Sequence, residues 1–188
     1  MARGHVVIVE GVDDKRFLEC VVQHLAIRDV EVLQMGGGTV AELKAIKNLV
    51  EIRRDAGKHI AVIIDADNAP EERRGEFGNC MISMRLSQEH LFLLPDNRTK
   101  GNLEVLLEEL APFEHQEIHG CFSKYEECLR LNAAYRVPNR KARIFAYCEA
   151  LGTEPKGRER EYGDSECWNL EAVAVDPLKG FLQSFIGE

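Results

Sequence analysis

The sequence predicts an α/β fold, a parallel sheet covered on both faces by helices, Rossmann-like in plan and followed by a helical C-terminal part. Three observations carry this reading. Two apolar runs, His5-Val-Val-Ile-Val-Glu10 and Lys58-His-Ile-Ala-Val-Ile-Ile-Asp65, are continuous rather than alternating, the pattern of strands buried on both faces. The segments between them carry helical spacing. The chain has 188 residues, 45% of them apolar, which suits one domain with a real core.

The elements follow in order. After the first strand, residues 13–26 place Phe17, Leu18, Val21, Val22 and Leu25 on one helix face, with Asp13 as the expected N-cap. Residues 30–35 read as a strand. Gly36-Gly-Gly38 then turns the chain, and Thr39 is expected to cap a helix over 40–56 that Gly57 ends. The strand that closes on Asp65 completes a β-α-β-α-β order, which implies right-handed crossovers and a parallel sheet. Residues 68–79 are polar, contain Pro70, and read as a loop or short helix. Residues 80–86 read as a weak strand, and 90–95 as a better one closed by Pro95. A turn-rich loop over 96–101 precedes a short helix over 103–110. Helices are expected over 113–131, 140–151 and 177–186. The chain thus divides into an α/β core, 1–95, and a helical extension, 96–188, packed on it as a single compact unit.

Composition narrows the function classes. With 24 Lys+Arg against 32 Asp+Glu, the formal charge is −8, which argues against a generic electrostatic nucleic-acid binder. No stretch approaches the roughly 18 apolar residues needed to span a bilayer. No secretory signal is seen, so a cytoplasmic protein without membrane association is expected. The six cysteines include no C-x-x-C pair, so they read as small core residues rather than metal ligands.

The acids gather where chemistry is expected. Ligands of open α/β sheets bind beyond the carboxyl ends of the strands. Two apolar strands end there in acids, as Glu10-Gly11-Val12-Asp13-Asp14 and Asp65-Ala66-Asp67. If those strands are neighbours, several carboxylates converge. They repel unless a cation neutralises them, and an all-oxygen set suits a hard divalent ion.

These residues resemble the Toprim domain. Glu10-Gly11-Val12-Asp13-Asp14 is similar to its Glu-Gly-x-x-Asp opening, and Asp65-Ala66-Asp67 to its Asp-x-Asp motif, with the expected two-helix interval between them. Gly101-Asn102-Leu103-Glu104 resembles the Gly-x-x-Glu element with which nucleases of the overcoming-lysogenization-defect (OLD) family add a metal ligand. The C-terminal part, including Lys141-Ala-Arg-Ile-Phe-Ala-Tyr147, resembles small stand-alone Toprim-like proteins without a known function. The resemblance implies a Toprim-like α/β core. It implies Glu10 as catalytic acid or base, Asp14, Asp65, Asp67 and Glu104 as ligands of Mg²⁺ or Mn²⁺, and phosphodiester hydrolysis, most plausibly as a nuclease. A nucleotide or small-phosphate hydrolase, and a non-catalytic Toprim-like module acting with a partner protein such as an ATPase, stay open as alternatives. Asn68 departs from the acid or aromatic of some Toprim nucleases. No tyrosine domain or zinc domain accompanies the core, which argues against strand passage and priming.

Cations that would meet a phosphate are Lys15 beside Asp14, and the cluster Arg136, Arg140, Lys141 and Arg143. Arg73 and Arg74 form a smaller pair near Asp-x-Asp. Gly36-Gly-Gly38 lacks the Gly-Lys-Ser/Thr of a Walker loop and reads first as a tight turn. His115 and His119 have helical spacing, but Gln116 stands where a zinc protease needs Glu. Residues 156–161 alternate in charge and read as an exposed loop, and Trp168 reads as a core anchor.

Overall fold

A computed structural model describes residues 4–153 and 160–187. Among these residues, four strands form one sheet: β1 (His5–Val9), β2 (Val30–Gln34), β3 (His59–Asp65) and β4 (Leu91–Leu94). Their order is β2-β1-β3-β4 and every pairing is parallel. The fold is therefore α/β, a Rossmann-like parallel sheet with helices on both faces.

Alternate residues of each strand feed two hydrophobic layers. Val7, Val9, Ala61, Ile63, Phe92 and Leu94 point to one face, and Val6, Ile8, Ile60, Val62, Ile64 and Leu93 to the other. This double burial is why the runs are continuous in the sequence. The first face is covered by α1 (Val12–His24), α5 (Leu103–Leu110), α7 (Arg140–Ala150) and α8 (Asp176–Ile186). The second is covered by α2 (Val40–Ala45), α3 (Lys47–Asp55) and α4 (Pro70–Ser83). One further helix, α6 (Gln116–Arg130), packs on α7, and His119 stacks on Tyr147 with ring centroids 4.8 Å apart. Fully burying side chains such as Phe17, Phe77 and Phe92 contributes about 1.5–3 kcal/mol each.

Several elements differ from expectation. Residues 80–86 are not a strand. They belong to the end of α4 and the turn after it, because Phe77, Cys80, Met81 and Met84 recur at helical spacing and are buried against the sheet. The helix expected over 40–56 is broken at Ile46 into α2 and α3. Gly11, not Asp13, occupies the N-cap of α1, and the Asp14 carboxylate accepts the Gly11 N–H at 3.0 Å. Cys121 and Cys128 are exposed on α6 rather than in the core, whereas Cys80, Cys148 and Cys167 are buried. Trp168 is buried beside Tyr147, whose hydroxyl donates to the Cys167 carbonyl at 2.8 Å. Of the segment expected as an exposed loop, 156–159 lies outside the described residues. Arg160 is buried, with its guanidinium over the Phe145 ring and 3.4 Å from Asp13 Oδ2.

Among the described residues, no helix is long and apolar enough to cross a membrane.

Candidate active site

The strand order creates the site. From β1 the chain turns through α1 on one face, whereas from the adjacent β3 it turns through α4 on the other. The loops after these two strands diverge, and a crevice opens between them at the carboxyl edge, the topological switch point of an open parallel sheet. Glu10 follows β1 and Asp65 ends β3, so the paired register of the two strands brings their carboxylates together.

Glu10 is held from three directions. Its Oε1 accepts the Asp65 N–H at 3.0 Å and Arg73 Nη2 at 2.7 Å. Gly38 approaches from the loop after β2, whose pairing continues past the strand as Met35 N–H donates to Val9 and Gly36 N–H to Glu10. A Cβ on Gly38 would overlap the Glu10 carboxylate, lying 2.7 Å from its Cδ. The glycine turn thus forms a wall of the Glu10 cradle. Arg73, one turn into α4, ties the cradle together. Besides Glu10 it donates to the backbone carbonyls of Asp65, at 3.1 Å, and Gly38, while its guanidinium lies over the Phe77 ring. Its Nε is 3.4 Å from Asp67 Oδ2, on a more exposed side chain.

The other wall comes from the loop after β4. Asp67, with φ +52°, exchanges two main-chain hydrogen bonds with Gly101, at 2.7 and 2.8 Å. Gly101 adopts φ +151°, and a Cβ there would meet Pro95 Cδ at 2.9 Å, so glycine is needed at this crossing. The bridge sets α5 in place: Asn102 caps it by accepting the Val105 N–H, and the Leu103 N–H donates to Asp65 Oδ1 at 3.0 Å. Glu104 is consequently buried in the first turn of α5, with Lys141 Nζ 3.8 Å from its Oε1. Arg74 braces the same loop through the Asn97 side chain and carbonyl.

The electrostatics follow from crowding. Burial pushes the Asp65 carboxyl up to about 8, helped by the charges of Glu10, Asp14 and Glu104 and opposed by the Leu103 N–H. Burial also raises Glu10, against the Asp65 N–H and Arg73, with Asp14 and Asp67 adding repulsion. Asp14 is raised by burial, against its bond to the Gly11 N–H and the charge of Lys141. The carboxylates therefore meet with less positive charge around them than their own negative charge requires.

Set against a divalent metal, the donor chemistry fits: the candidate ligands are all carboxylates, and repulsion among Glu10, Asp14, Asp65 and Glu104 is what a hard cation relieves. The side-chain arrangement is not that of a coordination shell. Among the described residues no group of three His, Cys, Asp or Glu side chains is placed to hold a metal ion. Glu10, Asp14 and Asp65 each accept a main-chain N–H through one carboxylate oxygen.

The cations expected to meet phosphate separate into two groups. Lys141 and Arg140 lie at the crevice. Arg140 lines an open cavity of about 340 Å³ with Asp67, Asn68, Lys100, Gly101, Asn102 and Val105, and also pairs with Glu108 at 2.8 Å. Arg143 instead faces inward, bound to Glu108 at 3.2 Å and Glu126 at 3.0 Å, and so stitches α5, α6 and α7 together. Lys15 lies 3.8 Å from Glu19 along α1, and Arg136 is exposed in the connection between α6 and α7. Arg73 as the internal cation of the site, Gly38 as its wall and Lys100 beside Arg140 were not singled out from the sequence in these roles. No side-chain pattern signals Arg73, because it also binds the backbone carbonyls of Asp65 and Gly38.

No curated protein and no solved structure matches the chain. A family model described as "Protein of unknown function (DUF3226)" matches residues 4–187, a span that runs from β1 to α8 and includes every carboxylate of the crevice. The chain belongs to the DUF3226 family.

Proposed function

We propose that this protein is a Toprim-type phosphodiester hydrolase that depends on Mg²⁺ or Mn²⁺ and acts on nucleic acid. The observation that carries the reading is Asp65, at the switch point of the sheet, with its carboxyl pushed up to about 8 by burial and by Glu10, Asp14 and Glu104. A cluster that disfavours its own charge is what a cation site looks like without its cation.

In this reading Asp14, Asp65, Asp67 and Glu104 would hold the metal, which when bound would supply charge neutralisation and a more acidic water. Glu10 moves the proton. Its carboxyl is buried and raised, so it exchanges a proton nearer neutrality than a solvated glutamate does. Arg73 fixes the Glu10 carboxylate and the backbone on either side of it, a positioning role. Lys141, beside Glu104, faces the phosphate. The described cysteines are all free, which supports a reducing, cytoplasmic setting.

The test is cleavage of labelled single- and double-stranded DNA and RNA in Mg²⁺ and in Mn²⁺. Cleavage by the wild type, abolished in Asp65→Asn and Glu104→Gln, is expected. Failure to cut any substrate, or intact cutting by Asp65→Asn, refutes the catalytic reading. One observation favours a second reading: Arg73 already neutralises Glu10, as expected of a binding module that acts with a partner. Metal binding without turnover, together with a co-purifying protein, supports that alternative.

A further inference from the structure

We infer that a cavity of about 310 Å³ at the amino edge of the sheet, lined by Arg54, Lys58, His59, Arg85, Ser87 and His90, is a binding site for a phosphate dianion. It lies at the far end of β3 from Asp65, about 20 Å away by strand rise, and does not depend on the reading of the crevice.

The fold has no use for the Arg85 side chain. α4 ends in two main-chain hydrogen bonds, from the Arg85 N–H to the Ile82 carbonyl and from the Leu86 N–H to the Met81 carbonyl, each at 2.9 Å. In this helix ending the residue after the cap turns left-handed, a place usually given to glycine. Arg85 holds it with φ +59°, a conformation that is unfavourable for any residue with a Cβ. The side chain is exposed, and among the described residues no hydrogen bond or ion pair engages its guanidinium. A strained position thus presents a charge that no part of the fold answers.

Other segments bring further donors to the same cavity. Arg54, in the last turn of α3, donates to the Met84 carbonyl at 2.9 Å, which fixes its guanidinium beside the Arg85 turn. Its two contacts with the exposed Asp55 carboxylate leave two of its five N–H groups open. Lys58 shares the Glu31 carboxylate with Arg53, so one acid answers two cations. The rings of His59 and His90 are held in place, His59 against His5 at 5.5 Å and His90 against Phe185 at 5.0 Å between centroids. No carboxylate belongs to the lining. Among the described residues, the ion pairs of Arg53, Arg54 and Lys58 use only Glu31 and Asp55, so with Arg85 the patch keeps an excess of two positive charges. In a chain of formal charge −8 this is a local departure from the composition.

The ligand class follows from that charge. A phosphate group above its second pKa carries close to two negative charges and three acceptor oxygens, and guanidinium groups match it well. Ile60 and Leu86 in the same lining give an apolar wall for a small organic group on the phosphate.

Isothermal titration calorimetry in EDTA at about pH 7.5, where phosphate is largely dianionic, tests the site. The probes are inorganic phosphate, adenosine monophosphate, adenosine, and chloride at matched ionic strength. Phosphate and adenosine monophosphate should bind the wild type, and adenosine and chloride should not. Arg85→Gly should weaken phosphate binding roughly tenfold while raising Tm by about 2–4 °C, because glycine suits the left-handed turn. Arg85→Lys keeps the charge and should lose only about threefold. Lys141→Ala, at the carboxylate crevice, should bind phosphate as the wild type does. Tighter binding of adenosine monophosphate than of phosphate identifies an ester as the ligand, and the reverse identifies free phosphate. No phosphate binding, equal binding in Arg85→Gly, adenosine or chloride binding as tightly as phosphate, or loss of binding in Lys141→Ala but not in Arg85→Gly overturns the inference.

Discussion

Asp65→Asn should make the protein more stable while removing its proposed activity. Asparagine keeps an acceptor for the Leu103 N–H at 3.0 Å and removes a charge that Glu10, Asp14 and Glu104 all oppose. The sign is set by linkage. The carboxyl titrates near 3.8 in the unfolded chain and at about 8 in the folded one, so the unfolded chain sheds its proton first as pH rises. Stability through this group is therefore full below 3.8, falls between 3.8 and 8, and is lowest above 8. At about 1.4 kcal/mol per unit, the upper bound is roughly 5–6 kcal/mol. Water and counter-ions at the open mouth reduce this to about 2–3 kcal/mol, or roughly 5–10 °C in Tm for a chain of this size. The assay is thermal unfolding in EDTA at about pH 8.5 and about pH 5. Asp65→Asn should melt above the wild type at the higher pH, with a narrower gap at the lower. Added Mg²⁺ or Mn²⁺ should raise the wild type and leave the variant nearly unchanged. A variant that melts at or below the wild type in EDTA at the higher pH refutes the claim that the carboxylates repel.

Three further outcomes follow from the same structure. Gly38→Ala drives a methyl into the Glu10 carboxylate, so activity should fall at least tenfold while stability drops only about 1 kcal/mol, since the displaced atoms end a flexible side chain; unchanged activity would remove Gly38 from the cradle. Glu31 is held down at about 2 by Arg53 and Lys58, so its contribution is present above 4.5 and lost as pH falls toward 2; after screening, Glu31→Gln should cost about 1 kcal/mol near neutrality and nothing at pH 2, as read by urea unfolding. His5 is lowered below 6.5 by burial and by His59, and its Nδ1 is buried without a hydrogen bond. Stability should therefore decline as pH falls below 6.5, and His5→Phe should flatten that decline by up to about 1.4 kcal/mol per pH unit; an unaltered slope in the variant would show that His5 is not its source.

What the residues disclosed depended on how many faces each element buries. β1 and β3 were legible because both faces are covered, which leaves uninterrupted apolar runs. α4 was not, because its first two turns are polar and carry Gly75, and only from Phe77 does it press on the sheet. The break at Ile46 has no glycine or proline to announce it. At the site, the acids were legible because they terminate strands or open helices. Arg73 was hidden, since two of its partners are backbone carbonyls, one of them 35 residues away, that no side-chain pattern records. Arg143 looked like one of a basic run, but its partners Glu108 and Glu126 come from two other helices. Asp13 looked like a cap because it precedes the apolar face; the N-cap is Gly11, two residues earlier, and the capping carboxylate belongs to Asp14.

The divalent-cation site proposed for these carboxylates can be tested on its own. Mn²⁺ titration followed by electron paramagnetic resonance reads it directly, without a substrate. The wild type should bind Mn²⁺ with displacement by Mg²⁺, and Asp65→Asn and Glu104→Gln should each weaken binding at least tenfold while remaining folded. Absence of bound Mn²⁺ in the wild type, or equal binding in both variants, would contradict it.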